Sequence, residues 1–181
     1  MEFLSAILFG LSSNLDNFII GISYEIGKKK ITFFDNLIIA FIGTFGTFLS
    51  MEVGKLISSI FPNYLSNFLG AFTIVIMGVY FTIQSVIKKN SKTSTLKDLN
   101  LKTTLILAFG LTLNNLGVGI AASATGLNIP LVCFFNFILS LLTIFLGQVL
   151  GGKVFGRILG KYGDITSGIL LIVLGIIEIF N

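Results

Sequence analysis

Residues 12–22 read SSNLDNFIIGI, and residues 110–120 read GLTLNNLGVGI. Each is a short polar run inside a long apolar stretch, about 3–25 for the first and about 103–124 for the second. A helix needs about 20 mostly apolar residues to cross the hydrocarbon core. Four further stretches are long enough, at about 36–60, 65–87, 129–155 and 165–180. Period-two alternation is absent, which argues against a β-barrel. Hydrophobic residues make up 54% of the 181-residue chain and charged ones 11%, with a mean hydropathy of +0.99. Soluble domains carry roughly 25% charged residues, so the polar coat of a soluble domain cannot be assembled. The expectation is an all-α integral membrane protein with six transmembrane helices. The first stretch lacks a basic start and is read as a retained helix rather than a signal peptide.

The two polar runs also relate the halves of the chain. A shift of 98 residues sets Leu15, Asn17, Gly21 and Ile22 on Leu113, Asn115, Gly119 and Ile120. It also sets Gly54-Lys55 on Gly152-Lys153, and Tyr64 and Gly70 on Tyr162 and Gly168. Residues 1–87 then form one three-helix repeat and 103–181 a second, joined by a basic linker over 88–102. An odd number of spans per repeat inserts the second half from the opposite membrane side. Such inverted repeats are a frequent plan of secondary transporters, whose sites lie near mid-bilayer where the repeats meet.

Basic residues set the expected orientation. Of the twelve Lys and Arg residues, all but Lys55 fall in or beside three connections on one side: Lys28 to Lys30, Lys88 to Lys102, and Lys153 to Lys161. Basic loops stay cytoplasmic, so a multi-pass protein of the cell membrane with both termini outside is expected. The linker reads as a flexible connector. Tyr24, Tyr64 and Tyr162 fall at span ends, as interfacial anchors do.

Asp16 stands near the middle of the first span, where a carboxylate costs about 2.5–3.5 kcal/mol on insertion scales. Ser13, Asp16 and Asn17 share one helix face, at i, i+3 and i+4. Under the 98-residue shift Asp16 falls on Asn114 and Asn17 on Asn115, with Thr112 one turn away. Two such faces meeting would gather one carboxylate, several amide oxygens and hydroxyls, an oxygen set suited to a hard divalent cation such as Mg²⁺ or Mn²⁺. Asp16, Asn17, Asn114 and Asn115 are therefore the expected metal ligands, with Ser13, Thr112 and Glu52 in support. The competing account of the amides is interhelical hydrogen bonding, and that of Glu52 is an ion pair with Lys55. Asp35 and Asp164 mark helix starts. The glycine pairs Gly147 and Gly151, Gly152 and Gly156, and Gly156 and Gly160, each spaced four apart, suit close helix approach within the bundle or at a homodimer seam.

Several chemistries are excluded. The chain has no His and one cysteine, Cys133, which removes His-based catalysis, thiolate metal sites and an internal disulfide. There is no P-loop, no GxSxG and no nucleotide fingerprint. Neither an enzyme nor a cofactor is expected. The formal net charge of +4 is not gathered on one face, so no nucleic-acid partner is expected; the partners are the bilayer and a cation.

The stretch Leu15-Asp16-Asn17-Phe18 with Gly21, Tyr24 and Lys28 to Ile31 resembles the first helix and loop of the MntP family of manganese efflux pumps. Within it the chain is most similar to the branch called sporulation membrane protein YtaF, through Phe61-Pro62-Asn63-Tyr64, Leu69-Gly70 and Met77-Gly78. Leu113 to Gly119 resembles the family's second Asp-containing motif, and Ser167 to Ile172 its last helix. The resemblance implies two inverted three-helix halves of the LysE exporter type and export of Mn²⁺. Asp16 matches the first-helix Asp. The second Asp is Asn114 here, and Gly46 takes the place of the second-helix acid. The leading expectation is a secondary exporter of a hard divalent cation, Mn²⁺ first, by alternating access around Asp16. Its rivals are a non-transporting sporulation scaffold and an exporter of a small organic solute.

Overall fold

The computed structural model describes residues 2–26, 29–87, 99–151, 169, 171–177 and 179–180. For 63, 64, 66, 67, 81, 84–87 and 114 it describes the backbone alone. Among these residues there is no strand. Six helices follow one another: α1 (Glu2–Ser13), α2 (Leu15–Ile26), α3 (Phe33–Ser58), α4 (Asn63–Ile87), α5 (Leu101–Ala124) and α6 (Ile129–Gly151). Residues 171–177 are also helical.

Among the described residues, three spans are long and apolar enough to cross a membrane: Glu2–Ile26, Phe33–Ser58 and Ile129–Gly151. The stretch Leu101–Leu113 plus Asn115–Ala124 makes a fourth, bent by 42°. The expected third span corresponds to α4, whose Phe68–Tyr80 portion is a shorter apolar helix. The expected sixth falls mostly outside the described residues, as do linker residues 88–98, Lys153, Arg157, Lys161 and Asp164.

The first span is one expected helix in two pieces. At Asn14 the backbone N–H reaches only to the Leu11 carbonyl at 3.3 Å, and the Asn14 amide donates to the Gly10 carbonyl at 2.8 Å. The Ser12 hydroxyl donates to the Leu8 and Phe9 carbonyls in the same turn. Short polar side chains that bond to nearby carbonyls compete with the helical ladder, and here they end α1. α2 restarts at Leu15.

Burial runs opposite to that of a soluble domain. Phe33, Phe34, Phe41 and Phe45 are exposed, while Asn14, Asn17, Asn36 and Asn136 are buried. Soluble proteins bury Asn rarely; a periphery of Phe around buried amides suits a lipid solvent. The interior is layered. One apolar cluster joins Ala6, Phe9, Met51, Ile74, Val118 and Leu171. A second joins Tyr24, Ile31, Ile39, Ala108 and Ile144. The buried amides lie between them. Tyr24, expected at the interface, is 5% exposed and belongs to the second cluster, because α2 packs that face on α6.

α2 packs on α6, and α3 on α5. Backbones meet at both crossings. A Cβ on Gly147 would overlap the Phe18 carbonyl oxygen and lie 3.0 Å from the Gly21 Cα. A Cβ on Gly54 would overlap the Ile120 carbonyl oxygen. Small residues permit such approaches where no hydrophobic effect drives association. Gly147 and Gly151 therefore face α2 within the chain. The contacts also set the ends in order: Ile26, Phe33, Leu101 and Gly151 lie at one end of the bundle, and Ser58, Ala124 and Ile129 at the other. Lys29, Lys30 and Lys102 belong to the first end and Lys55 to the second.

Gly147→Leu is expected to destabilise the protein by about 1–3 kcal/mol or more, the range for overpacking against backbone that cannot yield. Gly110→Ala, where nothing lies within 4 Å of the added atom, should be neutral or stabilising. Thermal unfolding in detergent separates the two.

Candidate metal centre

The break at Asn14 is where the polar layer begins. The Asn14 amide nitrogen, besides its bond to Gly10, donates to Asn136 Oδ1 on α6 at 2.8 Å. Asn17 Nδ2 donates to Asn14 Oδ1 at 2.7 Å and to Ser140 Oγ at 2.9 Å. Asn136 Nδ2 reaches Thr47 Oγ1 on α3 at 3.3 Å, and the Thr47 hydroxyl donates to the Gly43 carbonyl. From α5, Asn115 Nδ2 donates to the Ser13 carbonyl at 2.6 Å. Five helices, α1, α2, α3, α5 and α6, are thus tied by side-chain amides at one level. Asn14, Asn17, Asn136 and Ser140 are each 5% exposed or less.

A small cavity of about 20 Å³ lies at this level, lined by Asn14, Asn17, Thr47, Thr112, Asn115 and Asn136 together with Ile39, Gly43 and Leu111. About 10–15 Å³ suffices for one water-sized particle, so it admits one water or one bare ion. Its polarity follows from the direction of the bonds. The amide nitrogens of Asn17 and Asn115 are taken by Asn14, Ser140 and the Ser13 carbonyl. That leaves Asn17 Oδ1 and Asn115 Oδ1 as acceptor ends, with no donor among the described residues. The Thr112 hydroxyl donates to the Ala108 carbonyl and can offer its lone pairs. The lining combines these acceptor oxygens with the second N–H of Asn115 and of Asn136, and has room for one cation or one water.

Of the expected ligands, the structure brings together Asn17, Asn115 and Thr112. Ser13 takes part through its carbonyl, and its hydroxyl is buried without a partner among the described residues. Asp16 is half-buried, precedes the cavity-lining Asn17 in sequence, and is not itself among the lining residues. Its Oδ1 accepts the Asn17 backbone N–H at 2.8 Å, in the first turn of α2, where the helix dipole favours a negative group. The side chain of Asn114 lies outside the described residues. Glu52 is elsewhere: it lines a larger cavity of about 840 Å³ with Lys55, Ser59, Ser123, Asn128 and Cys133. Among the described residues no group of three His, Cys, Asp or Glu could hold a metal, so any cation held here depends on neutral oxygens and one acid.

Sequence reasoning missed Asn136, Ser140 and Thr47. The pattern was present. Asn136, Ser140, Thr143 and Gly147 form one stripe of α6, and Gly43, Thr47, Ser50 and Gly54 one of α3, each at helical spacing. Their small and polar residues face the partner helices.

Spans of membrane length, apolar outside and amide-rich within, make this a multi-pass membrane protein. Residues 53–179, well over half of the chain, match the family described as "Putative manganese efflux pump", and the chain belongs to that MntP family. Comparison with curated proteins and with solved structures returns no match.

Asn136→Leu should cost about 1–3 kcal/mol of stability, since it leaves the buried Asn14 and Thr47 groups short of a partner. Combined with Asn14→Leu, the loss should fall short of the sum of the two single losses. Strict additivity in chemical unfolding would show the amides to be uncoupled.

Proposed function

We propose that this protein exports a hard divalent cation, Mn²⁺ foremost, from the cell by alternating access, and that the ion dwells at the Asn17–Asn115 level beside Asp16. The observation that carries this reading is that Asn17 and Asn115 line one cavity of single-ion size from two different helices, each with its amide nitrogen bonded to a neighbouring helix. These residues correspond under the 98-residue shift, which supports an inverted repeat with the site on its axis. The exchanged packing, α2 on α6 and α3 on α5, supports the same plan. In an inverted repeat the first helix of each half meets the second helix of the other.

Each residue has a role. Asn17, Asn115 and Thr112 supply neutral oxygens, and Asp16 supplies the negative charge that a neutral cage lacks. Mn²⁺ accepts such oxygen sets and completes its shell with water. Asn114, in place of a second acid, leaves the site one negative charge poorer, which favours quick release over tight retention. Family membership supports manganese as cargo. The basic residues at the end that holds Lys29, Lys30 and Lys102 support a cytoplasmic placement of that end.

The test is manganese efflux from loaded cells, or uptake by everted vesicles, for wild type and variants that remain monodisperse in detergent. Asp16→Asn is expected to lower transport at least about tenfold, the loss of roughly 1.4 kcal/mol or more of charge stabilisation. Asn17→Leu and Asn115→Leu should do the same, and Asn114→Asp should tighten divalent binding. Wild-type transport by Asp16→Asn would refute the reading.

A further inference from the structure

We propose that the hydrogen bond between Thr104 Oγ1 and Asp35 Oδ1 is a bolt that holds one face of the bundle shut while the opposite face, at Glu52, stands open. The inference rests on the transport reading above, and adds to it which face is closed and by which atoms.

Asp35 is the third residue of α3 and is 9% exposed. Its Oδ2 stays within its own helix start, accepting the Thr32 N–H at 3.1 Å and the Thr32 hydroxyl at 2.6 Å. Thr32 in turn caps the Asp35 N–H. That capping box fixes the carboxylate and presents Oδ1 to α5, where the fully buried Thr104 hydroxyl donates at 2.6 Å. A hydroxyl bonded to a carboxylate is among the stronger neutral-to-charged contacts. It joins the first turns of α3 and α5.

The bolt bears on the central cavity. One turn deeper, Ile39 follows Asp35 and Ala108 follows Thr104, and both belong to the apolar layer with Tyr24, Ile31 and Ile144. Ile39 also lines the 20 Å³ cavity. Parting the first turns of α3 and α5 draws Ile39 away from Ala108 and uncovers the amide oxygens to that face. On the opposite face, where α1 and α6 stand in the corresponding places, the arrangement differs. The positions that the 98-residue shift sets against Asp35 and Thr104 are Cys133 and Ala6, which cannot form the same bond. Cys133 instead lines the open cavity of about 840 Å³ with Glu52, and its floor at Leu127 is apolar. One face is bolted by a charged hydrogen bond, and the other opens into the cavity at Glu52.

Cys133 is the single cysteine of the chain and reports on the open face directly. The experiment measures the rate at which a membrane-impermeant maleimide labels Cys133 in vesicles of each orientation. Thr104→Val removes the donor and keeps the volume and the capping box; Thr104→Ala serves if Val is not accommodated, and Thr104→Ser keeps the hydroxyl. Thr104→Val should slow Cys133 labelling several-fold, with Thr104→Ser close to wild type. In a Cys133→Ser background, Gly43→Cys places a thiol on the central cavity where nothing lies within 4 Å of its Cβ. That thiol should gain labelling from the Asp35 face when Thr104→Val is added. Unchanged labelling at both positions, or uniformly faster labelling from both faces, overturns the bolt. Labelling does not depend on the cargo: a response to Thr104→Val in a protein indifferent to manganese keeps the bolt and loses the ion. Unresponsive labelling with intact Asp16-dependent efflux loses the bolt alone.

Discussion

The bond from Asn14 to Asn136 is the constraint around which the rest is arranged. A polar group in the hydrocarbon interior has no water to turn to, so each one must find its partner in the protein. Ending α1 at Ser13 disturbs the backbone ladder at mid-span. The Asn14 side chain answers that disturbance on one side through Gly10 and passes the connection to α6 on the other. From there Asn17, Ser140, Thr47 and Asn115 complete a plate that no single helix could satisfy. An interhelical bond is worth only about 0.6–2 kcal/mol in a membrane, whereas an orphaned amide costs several. Such a plate is therefore cheap to keep whole and expensive to break in part.

The glycine crossings decide what can move around that plate. Gly21 and Gly147 bring α2 and α6 into backbone contact, and Gly54 does so for α3 and Ile120 of α5. Backbone contact leaves no side chain to slide. A motion that preserves both crossings carries α2 with α6, and carries α3 with α5 as a pair that can part at its first turns by pivoting about the Gly54 crossing. Each moving unit then mixes helices from the two ends of the sequence, so the halves read from the 98-residue shift are not the bodies that would rock. Between the units lie Asn14, Asn17 and Asn136 on one side, and Thr47, Thr112 and Asn115 on the other. The cavity stands at that seam.

Much of the architecture was legible because lipid leaves few options. Long apolar runs become helices, Asp35 marks a helix start through its capping box, and the polar runs at 12–17 and 112–115 meet at one level. Three things were hidden for physical reasons. Asn136 looks like one amide in a long apolar helix, and only the neighbouring backbone break gives it a partner. Tyr24 has the composition of an interfacial anchor, yet α2 turns it inward because Gly21 and Gly147 fix the rotation of that crossing. Asp16 shares a helical face with Ser13 and Asn17 only in an unbroken helix. In the structure the carboxylate accepts the Asn17 N–H in its own first turn, while Asn17 lines the cavity.

That last difference bears on why the acid is there at all. One explanation of Asp16 is purely structural: a carboxylate that accepts the Asn17 N–H and steadies the start of α2. The fifth helix weighs against it. The stretch from Leu101 bends by 42° between Leu113 and Asn115, and the residue at the bend, aligned with Asp16 by the 98-residue shift, is the neutral Asn114. An irregular backbone at this depth is therefore achieved without a charge. A carboxylate in the same place costs about 2.5–3.5 kcal/mol to insert. The charge at position 16 goes beyond what an irregular backbone at this depth requires, and it is the charge on which the proposed cation site depends.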